Sequence, residues 1–415
     1  MPAAPVPAVA EALAEAAVRY GTPAYVYDLD RIRGQIRHLI RVLPPGTGIR
    51  YSVKANPVRA VCRVIAGAGL DAEVSSAGEL AVALDAGFRP DQILVSGPYK
   101  EPSLLDRLAT LPGVLISVDS LSELGQLTAR PAALSPARRI VLRLRPDYPA
   151  AGGMPGGAQS RFGIPAGQLI TGAVQSRRGI ECLGFHVYGG SQILDSALAA
   201  RNLVDAHHLA MRAGKLLGLT PRVVNLGGGF GIPYHEVGHG LDLAPSAVAL
   251  GAMMARAPGT TLILELGRYL VAEAGWYLTR VVHEQTLGDQ PAVVVDGGIH
   301  HRPDLCGLDL ARCCAAPVLL GPPRGGARPT AVLGRLCLPW DILAHGAMLP
   351  TLRTGDVLAF PTAGAYGLTA APSAFLGHRL PAEISLDGGN LTLLPSAQPA
   401  LLPLTAPPVL AMGAP

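Results

Sequence analysis

The chain has 415 residues, more than one small core accommodates, and its size sets an expectation of two folding units, one large enough for an α/β barrel. Apolar residues make up 49% and charged ones 15%, yet no apolar run reaches the roughly 18 residues of a membrane span. A net charge of +4 carried by scattered basic residues argues against a nucleic-acid stripe or a membrane-binding patch, so a small-molecule partner is expected.

The opening Met-Pro-Ala-Ala-Pro-Val-Pro has neither a basic region nor a compact apolar one, so no signal peptide is read and a cytoplasmic location is expected. Residues 24–27 read as a strand that joins a later sheet. From Ile49 to about Gly275, short apolar runs alternate with amphipathic helical stretches, the pattern of repeated βα units. Eight strands are expected, at 49–53, 70–75, 93–96, 114–118, 140–145, 183–187, 222–226 and 261–265. Eight parallel strands with intervening helices make a (β/α)8 TIM-type barrel, whose chemistry sits at the C-terminal strand ends. Those ends carry Lys54, Glu73, Gly97, Asp119, Arg143 with Arg145, His186, Gly227 to Gly229, and Glu265 with Arg268. The Gly/Ala/Pro-rich loop 148–159 is long enough to be either a mobile lid or a disordered segment.

After Gly275 the helical periodicity fades, and strands are expected at 276–284, 292–296, 330–333, 356–360 and 383–385. They predict a C-terminal all-β unit, sandwich- or barrel-like, with 321–329 as an external loop. The expected division is a barrel over 29–275 and a β domain made of 1–28 and 276–415.

The six cysteines, Cys62, Cys182, Cys306, Cys313, Cys314 and Cys337, form no CxxC pair and have no histidine at metal-ligand spacing. Reduced thiols and no metal site are expected. Of the 34 basic side chains only Lys54, Lys100 and Lys215 are lysines. Arginine can replace lysine where charge alone matters, but only lysine has an amine that can deprotonate and condense with a carbonyl. Lys215 lies in a helical stretch and reads as a solvated surface residue.

Lys54, in Tyr-Ser-Val-Lys-Ala-Asn-Pro, ends the first barrel strand and points into the barrel mouth, where desolvation would lower its pKa. A lysine merely paired with a carboxylate is the structural alternative. Asn-Leu-Gly-Gly-Gly-Phe-Gly follows the seventh strand, where barrels commonly seat a phosphate on bare backbone N–H groups. Glu265, in Glu-Leu-Gly-Arg, faces the same mouth and can keep a pyridine nitrogen protonated, although a simple pair with Arg268 is also possible. Lysine, phosphate loop and carboxylate together describe a site for pyridoxal 5'-phosphate.

These segments resemble the fold-type III pyridoxal-phosphate-dependent decarboxylases, the family of diaminopimelate and ornithine decarboxylases, over nearly the whole chain. Tyr-Gly-Thr-Pro-Ala-Tyr-Val-Tyr-Asp at 20–28 resembles the family's opening. The resemblance implies that Lys54 is the Schiff-base lysine and Glu73 stands for an aspartate near it, with Glu79 as the following glutamate. By the same resemblance Arg143, Ser191, Gly227, Gly228, Gly229, Arg268 and Tyr366 contact the cofactor, and Glu265 partners its pyridine nitrogen. The family's ring-stacking histidine falls on Tyr188, with His186 two residues earlier; the reading favours Tyr188 for stacking and His186 as its support. Cys337 and Asp341, in Cys-Leu-Pro-Trp-Asp, resemble a loop that the partner of a head-to-tail homodimer contributes, with Cys337 as a candidate proton donor.

Three departures bear on substrate. Leu338 stands where relatives acting on diamino acids carry an acid for the distal ammonium, and a leucine cannot compensate that charge. In Ile-His-His-Arg-Pro-Asp-Leu-Cys, Arg302 matches an arginine for the distal carboxylate, while Cys306 replaces the accompanying tyrosine. The third is Tyr188 in place of histidine. The motifs look most like a side branch serving secondary metabolism, including siderophore, carrier-protein-linked and exopolysaccharide-associated pathways. The expectation is α-decarboxylation of an amino acid or amino-acid conjugate, free or carrier-tethered, outside lysine synthesis. Alternatives are diaminopimelate decarboxylase itself, a racemase on the same barrel, and a cofactor-free regulatory relative. Glu265 speaks against the racemase, whose ring nitrogen faces an arginine, and retention of lysine and glycine loop speaks against the regulator.

Overall fold

The computed structural model describes residues 5–129, 137–149, 151–152, 157–169, 179–234, 240–302 and 316–395. Helix Pro7–Arg19 has proline in its first turn, where no intrahelical N–H bond is lost, and buries Leu13, Ala16 and Ala17. It packs on strand β1 (Ala24–Asp28). The sequence reading foresaw the strand and not the helix. Asp28 then caps helix Leu29–Val42 by accepting the Arg31 N–H at 3.0 Å.

The barrel strands follow as β2 (Gly48–Ser52), β3 (Asp71–Val74), β4 (Ile93–Val95), β5 (Leu115–Val118) and β6 (Arg138–Leu144). After the two-residue β7 (Ala151–Gly152) comes β8 (Ile180–Val187), then the two-residue β9 (Gly190–Ser191), which pairs with β7. The ring is completed by β10 (Val223–Gly228) and β11 (Thr261–Leu266), which returns to β2. All eight expected strands are present, and they close in the order β2-β3-β4-β5-β6-β8-β10-β11 with every pairing parallel.

Period-two alternation positions the chemistry. In β3, Ala72 and Val74 join the core shared with the helices, while Glu73 points inward in register with Leu94 of β4. Leu94, Leu115, Val141 and Leu183 form a separate apolar cluster inside the barrel, so its interior is packed and not a pore. Outside, helix Ser196–Leu217 is capped by Asp195 and stopped by Gly218 in a left-handed conformation (φ 64°). Its buried face includes Leu203, Leu209 and Ala213, and Lys215 is exposed as expected.

The second sheet has nine strands: β1 with β12 (Gly275–Leu287), β13 (Gln290–Val295), β14 (Val318–Leu320), β15 (Arg328–Leu333), β16 (Ile342–Leu349), β17 (Val357–Phe360), β18 (Ala382–Asp387) and β19 (Asn390–Leu393). β1 lies between β12, antiparallel, and β18, parallel. The sequence reading missed β14, β16 and β19, and β15 takes the last two residues of the expected loop at 321–329. Among the described residues no helix is long and apolar enough to cross a membrane.

Candidate active site

β2 ends at Ser52, and a single 3-10 turn over Val53–Ala55 buries both flanking side chains while leaving Lys54 open to a cavity of about 330 Å³. Lys54 Nζ donates to Glu73 Oε2 at 2.9 Å. The hydroxyls of Ser96 and, at 3.0 Å, Ser75 donate to the other oxygen of Glu73. Burial opposes charge on both partners, yet the pair overrides it: the lysine is held above its usual range and the carboxyl below its own. The expected lowering of the Lys54 pKa is thereby reversed, because Glu73 lies in ion-pair contact with the amine.

At the end of β11, Glu265 is buried and accepts from Asn225 Nδ2 at 2.5 Å. Its second oxygen is 3.4 Å from His186 Nε2, while His186 Nδ1 lies 2.8 Å from Ser117 Oγ. Burial works against the carboxylate, but His186, Lys54 and Asn225 outweigh it and pull the pKa down to about 2. Glu265 therefore stays ionised, paired with His186 and not with Arg268. Arg268 instead donates to the Tyr234 hydroxyl at 2.7 Å and lies over the Tyr366 ring at 4.8 Å.

On the far wall, Arg143 donates to Asp119 at 3.1 Å and stacks over Phe162 at 4.7 Å. Gly229 and Ser191 line the cavity, with Gly227 and Gly228 in the backbone behind. Gly227 and Gly229 have φ of 66° and 79°, and a Cβ on Gly228 would stand 2.2 Å from the Glu265 carbonyl oxygen. Only glycine fits this run.

Of the residues singled out from sequence, Lys54, Glu73, Arg143, His186, Tyr188, Ser191, Gly229, Glu265, Arg268 and Tyr366 line one cavity. His186 is buried under Glu265 and Tyr188 is half exposed to the space. Cys337, Leu338 and Asp341 do not line it: Cys337 is exposed, and buried Asp341 accepts the backbone N–H groups of Ile299 at 2.8 Å and Leu336 at 2.7 Å, bracing that loop. Arg302 is buried away from the cavity, and Cys306 lies outside the described residues. Sequence reasoning missed Ser96, Ser117, Asn225, Arg161 and Phe162. Asn225 was open to discovery, since it lies on the same strand face as Gly227, whose N–H it accepts at 3.0 Å.

These groups suit pyridoxal 5'-phosphate: a lysine amine for an aldehyde to condense with, a buried ionised carboxylate on the neighbouring barrel strand, and a bare glycine backbone beside Ser191 for a phosphate.

The model of the family described as "pyridoxal-dependent decarboxylase, pyridoxal binding domain" matches residues 29–272. The L-glutamyl-[BtrI acyl-carrier protein] decarboxylase of Niallia circulans is 33% identical over 391 residues, covering 91% of each chain. A diaminopimelate decarboxylase of Zymomonas mobilis is 30% identical, covering 93% of this chain and 92% of its own. The 2-[(L-alanin-3-ylcarbamoyl)methyl]-2-hydroxybutanedioate decarboxylase of Staphylococcus aureus is 29% identical, covering 87% and 93%. Among solved structures, the diaminopimelate decarboxylase of Helicobacter pylori complexed with L-lysine superposes with a TM-score of 0.82 at 25% identity, covering 92% of this chain and 95% of its own. Matched in this way along both of its units, the chain belongs to the fold-type III pyridoxal-phosphate-dependent decarboxylases.

Proposed function

We propose that this enzyme removes the α-carboxylate from an amino acid or amino-acid conjugate lacking a free distal ammonium, such as a carrier-tethered or carboxylate-rich conjugate, in a biosynthetic route other than lysine synthesis. The observation that carries this reading is the loop Cys337-Leu338-Pro339-Trp340, which has no acidic side chain and holds Trp340 59% exposed. An unpaired buried ammonium costs several kcal/mol, roughly two or more powers of ten in affinity. The Niallia circulans and Staphylococcus aureus relatives, whose named substrates are conjugates, support the reading.

Pyridoxal phosphate supplies an electron sink for the carbanion left when carbon dioxide departs. In our reading Lys54 holds the cofactor and later accepts or returns a proton, with Glu73 taking up the charge of its amine. Glu265, kept ionised by His186 and Asn225, would partner the pyridine nitrogen of the bound cofactor, and Ser117 fixes the His186 ring. Ser191, Gly229 and Arg268, which line the cavity with Tyr366 against Arg268, would hold the cofactor's phosphate, and Tyr188 would cover its ring. The enzyme works as a head-to-tail homodimer, in which Cys337 of the partner subunit delivers a proton to the α-carbon.

The test is carbon dioxide release by the purified enzyme over free diaminopimelate, ornithine and glutamate, glutamyl-carrier protein and citryl-amino-acid conjugates. The conjugates are expected to exceed diaminopimelate and ornithine in kcat/KM by about 100-fold or more, matching the cost of the unpaired ammonium. Efficient turnover of diaminopimelate or ornithine with the conjugates ignored would overturn the reading.

A further inference from the structure

Ser191 and Gly229, the cavity-lining residues placed beside the phosphate, come from different loops, one after β8 and one after β10. The ladder between those strands runs from Gly184 and Val223 to His186 and Asn225 and ends below both residues. Their spacing therefore depends on what joins the loops above it.

The two loops pair a second time beyond the barrel. Ile193 N donates to the Gly229 carbonyl at 2.9 Å and Gly231 N to the Ile193 carbonyl at 2.9 Å, which makes a parallel bridge of Ile193 with Phe230. The backbones approach so closely that a Cβ on Gly229 would stand 2.2 Å from the Gly190 carbonyl oxygen, and one on Gly231 2.8 Å from that of Ile193.

Gln192 extends this pairing with its side chain. Its Nε2 donates to the Ile232 carbonyl at 2.6 Å, and its Oε1 accepts the Ile232 N–H at 3.1 Å. A primary amide carries a donor and an acceptor side by side, so it meets both main-chain groups of one residue as a neighbouring strand would. Gln192 holds a φ of 56°, a left-handed conformation that a residue with a Cβ keeps only where its surroundings impose it. It is half-buried and stands outside the cavity lining, so its influence there passes through its neighbours. Two residues beyond Ile232, the Tyr234 hydroxyl accepts from Arg268 at 2.7 Å. The segment that Gln192 holds thus also seats the arginine at that edge of the cavity.

We propose that Gln192 is a positioning residue for the cofactor's phosphate: by pairing with Ile232, its amide fixes the spacing between Ser191 and Gly229 and so the shape of the anion cradle. The proposal rests on the placement of the phosphate given above and adds the residue that holds the two halves of its cradle together. Hydrogen bonds to an anion weaken steeply with misalignment, so a cradle shared by two loops loses affinity when either loop drifts. Lys54, on the turn after β2 and held by Glu73, depends on neither loop.

The experiment measures binding and needs no turnover. Full-length wild type, Gln192→Met and Gln192→Gly, freed of cofactor, are titrated with pyridoxal phosphate and with pyridoxal, which lacks the phosphate, and the visible absorbance of the bound aldehyde is followed. Methionine keeps the length without the hydrogen bonds, and glycine suits the positive φ without the amide. Both variants are expected to bind pyridoxal phosphate roughly 10-fold or more weakly than wild type, as for two lost hydrogen bonds, with pyridoxal unchanged. If one variant fails to fold, the other decides. Equal weakening toward both aldehydes, no weakening toward either, a selective loss in only one of two folded variants, or failure of both to fold each overturns the proposal. Wild type alone reports on the reading beneath it: binding pyridoxal as tightly as its phosphate would sink the placement of the phosphate, and the proposal with it.

Discussion

A fully buried ammonium such as that of Lys100 is tolerated only with its charge compensated and its donors satisfied. Its Nζ lies 2.6 Å from Glu123 Oε1 and donates to the carbonyls of Ser117 at 2.7 Å and Gly97 at 3.1 Å. One cation thus ties together the ends of β4 and β5, and with them the Ser117 that steadies His186. Lys100→Met should lower unfolding stability by about 3–5 kcal/mol by leaving the Glu123 carboxylate stranded, and Lys100→Met with Glu123→Leu should recover part of it. Urea melts of both variants decide this; equal losses would remove the pair from the account. A scarcity of lysine drew attention to this residue, but its partner acid sits in another βα unit, at a distance no local pattern reports. The buried histidines escaped notice for the same reason. His300 and His301 stack at 3.7 Å, and His378 approaches His300 at 5.4 Å. Burial first, then neighbouring charge, lowers their pKa to about 4 and about 2. Folded values below the ordinary 6.5 mean that the unfolded chain takes up protons first, so stability is intact above pH 6.5 and falls as the pH drops below it. Each histidine contributes a slope of up to about 1.4 kcal/mol per pH unit, so His300→Gln with His301→Gln should flatten the stability profile between pH 6.5 and 4.

Barrel strands announce themselves because both of their faces are covered, which leaves short apolar runs punctuated by glycine and polar ends. All eight were legible for that reason, with ends displaced by one or a few residues. β16, with His345, Gly346 and alternating exposed positions, gives a weaker signal, and its pairing with β15 depends on contacts distant in sequence. The loop after β6 was equally silent, since Arg161 and Phe162 reach the cavity wall from a base set where Gly163 tucks against Leu144. Gly163→Ala adds a Cβ where backbone already stands and where the positive φ disfavours it. A destabilisation of about 1–3 kcal/mol is expected. Thermal melts check it, and a variant indistinguishable from wild type would show that the loop is not held as described. The glycines after β10 were legible as a motif; that Gly228 is demanded by the Glu265 carbonyl and not by a ligand alone was not.

On the scale of the molecule, the cavity draws Tyr366 from beyond the barrel, while Cys337 and Trp340 are exposed and do not line the cavity of their own chain. If the partner's loop completes each site, Lys54→Ala and Cys337→Ala, each nearly inactive alone, should complement on mixing. Random reassortment makes half of the dimers hybrid, each with one intact site, so activity should approach about a quarter of wild type. Mixing that restores nothing, under conditions where subunits exchange, would count against a shared site. The position of β1 has a consequence for biogenesis. Its Ala-Tyr-Val-Tyr edge is synthesised well before both of its neighbours, β12 and β18. During synthesis the barrel can close while β1 waits, shielded on one face by helix Pro7–Arg19 and open along both edges. A nonsense mutation between Asp28 and Ala382 would therefore do more than delete a strand: it would leave the β18 edge of β1 permanently unpaired, a nascent-chain liability open to edge-to-edge association.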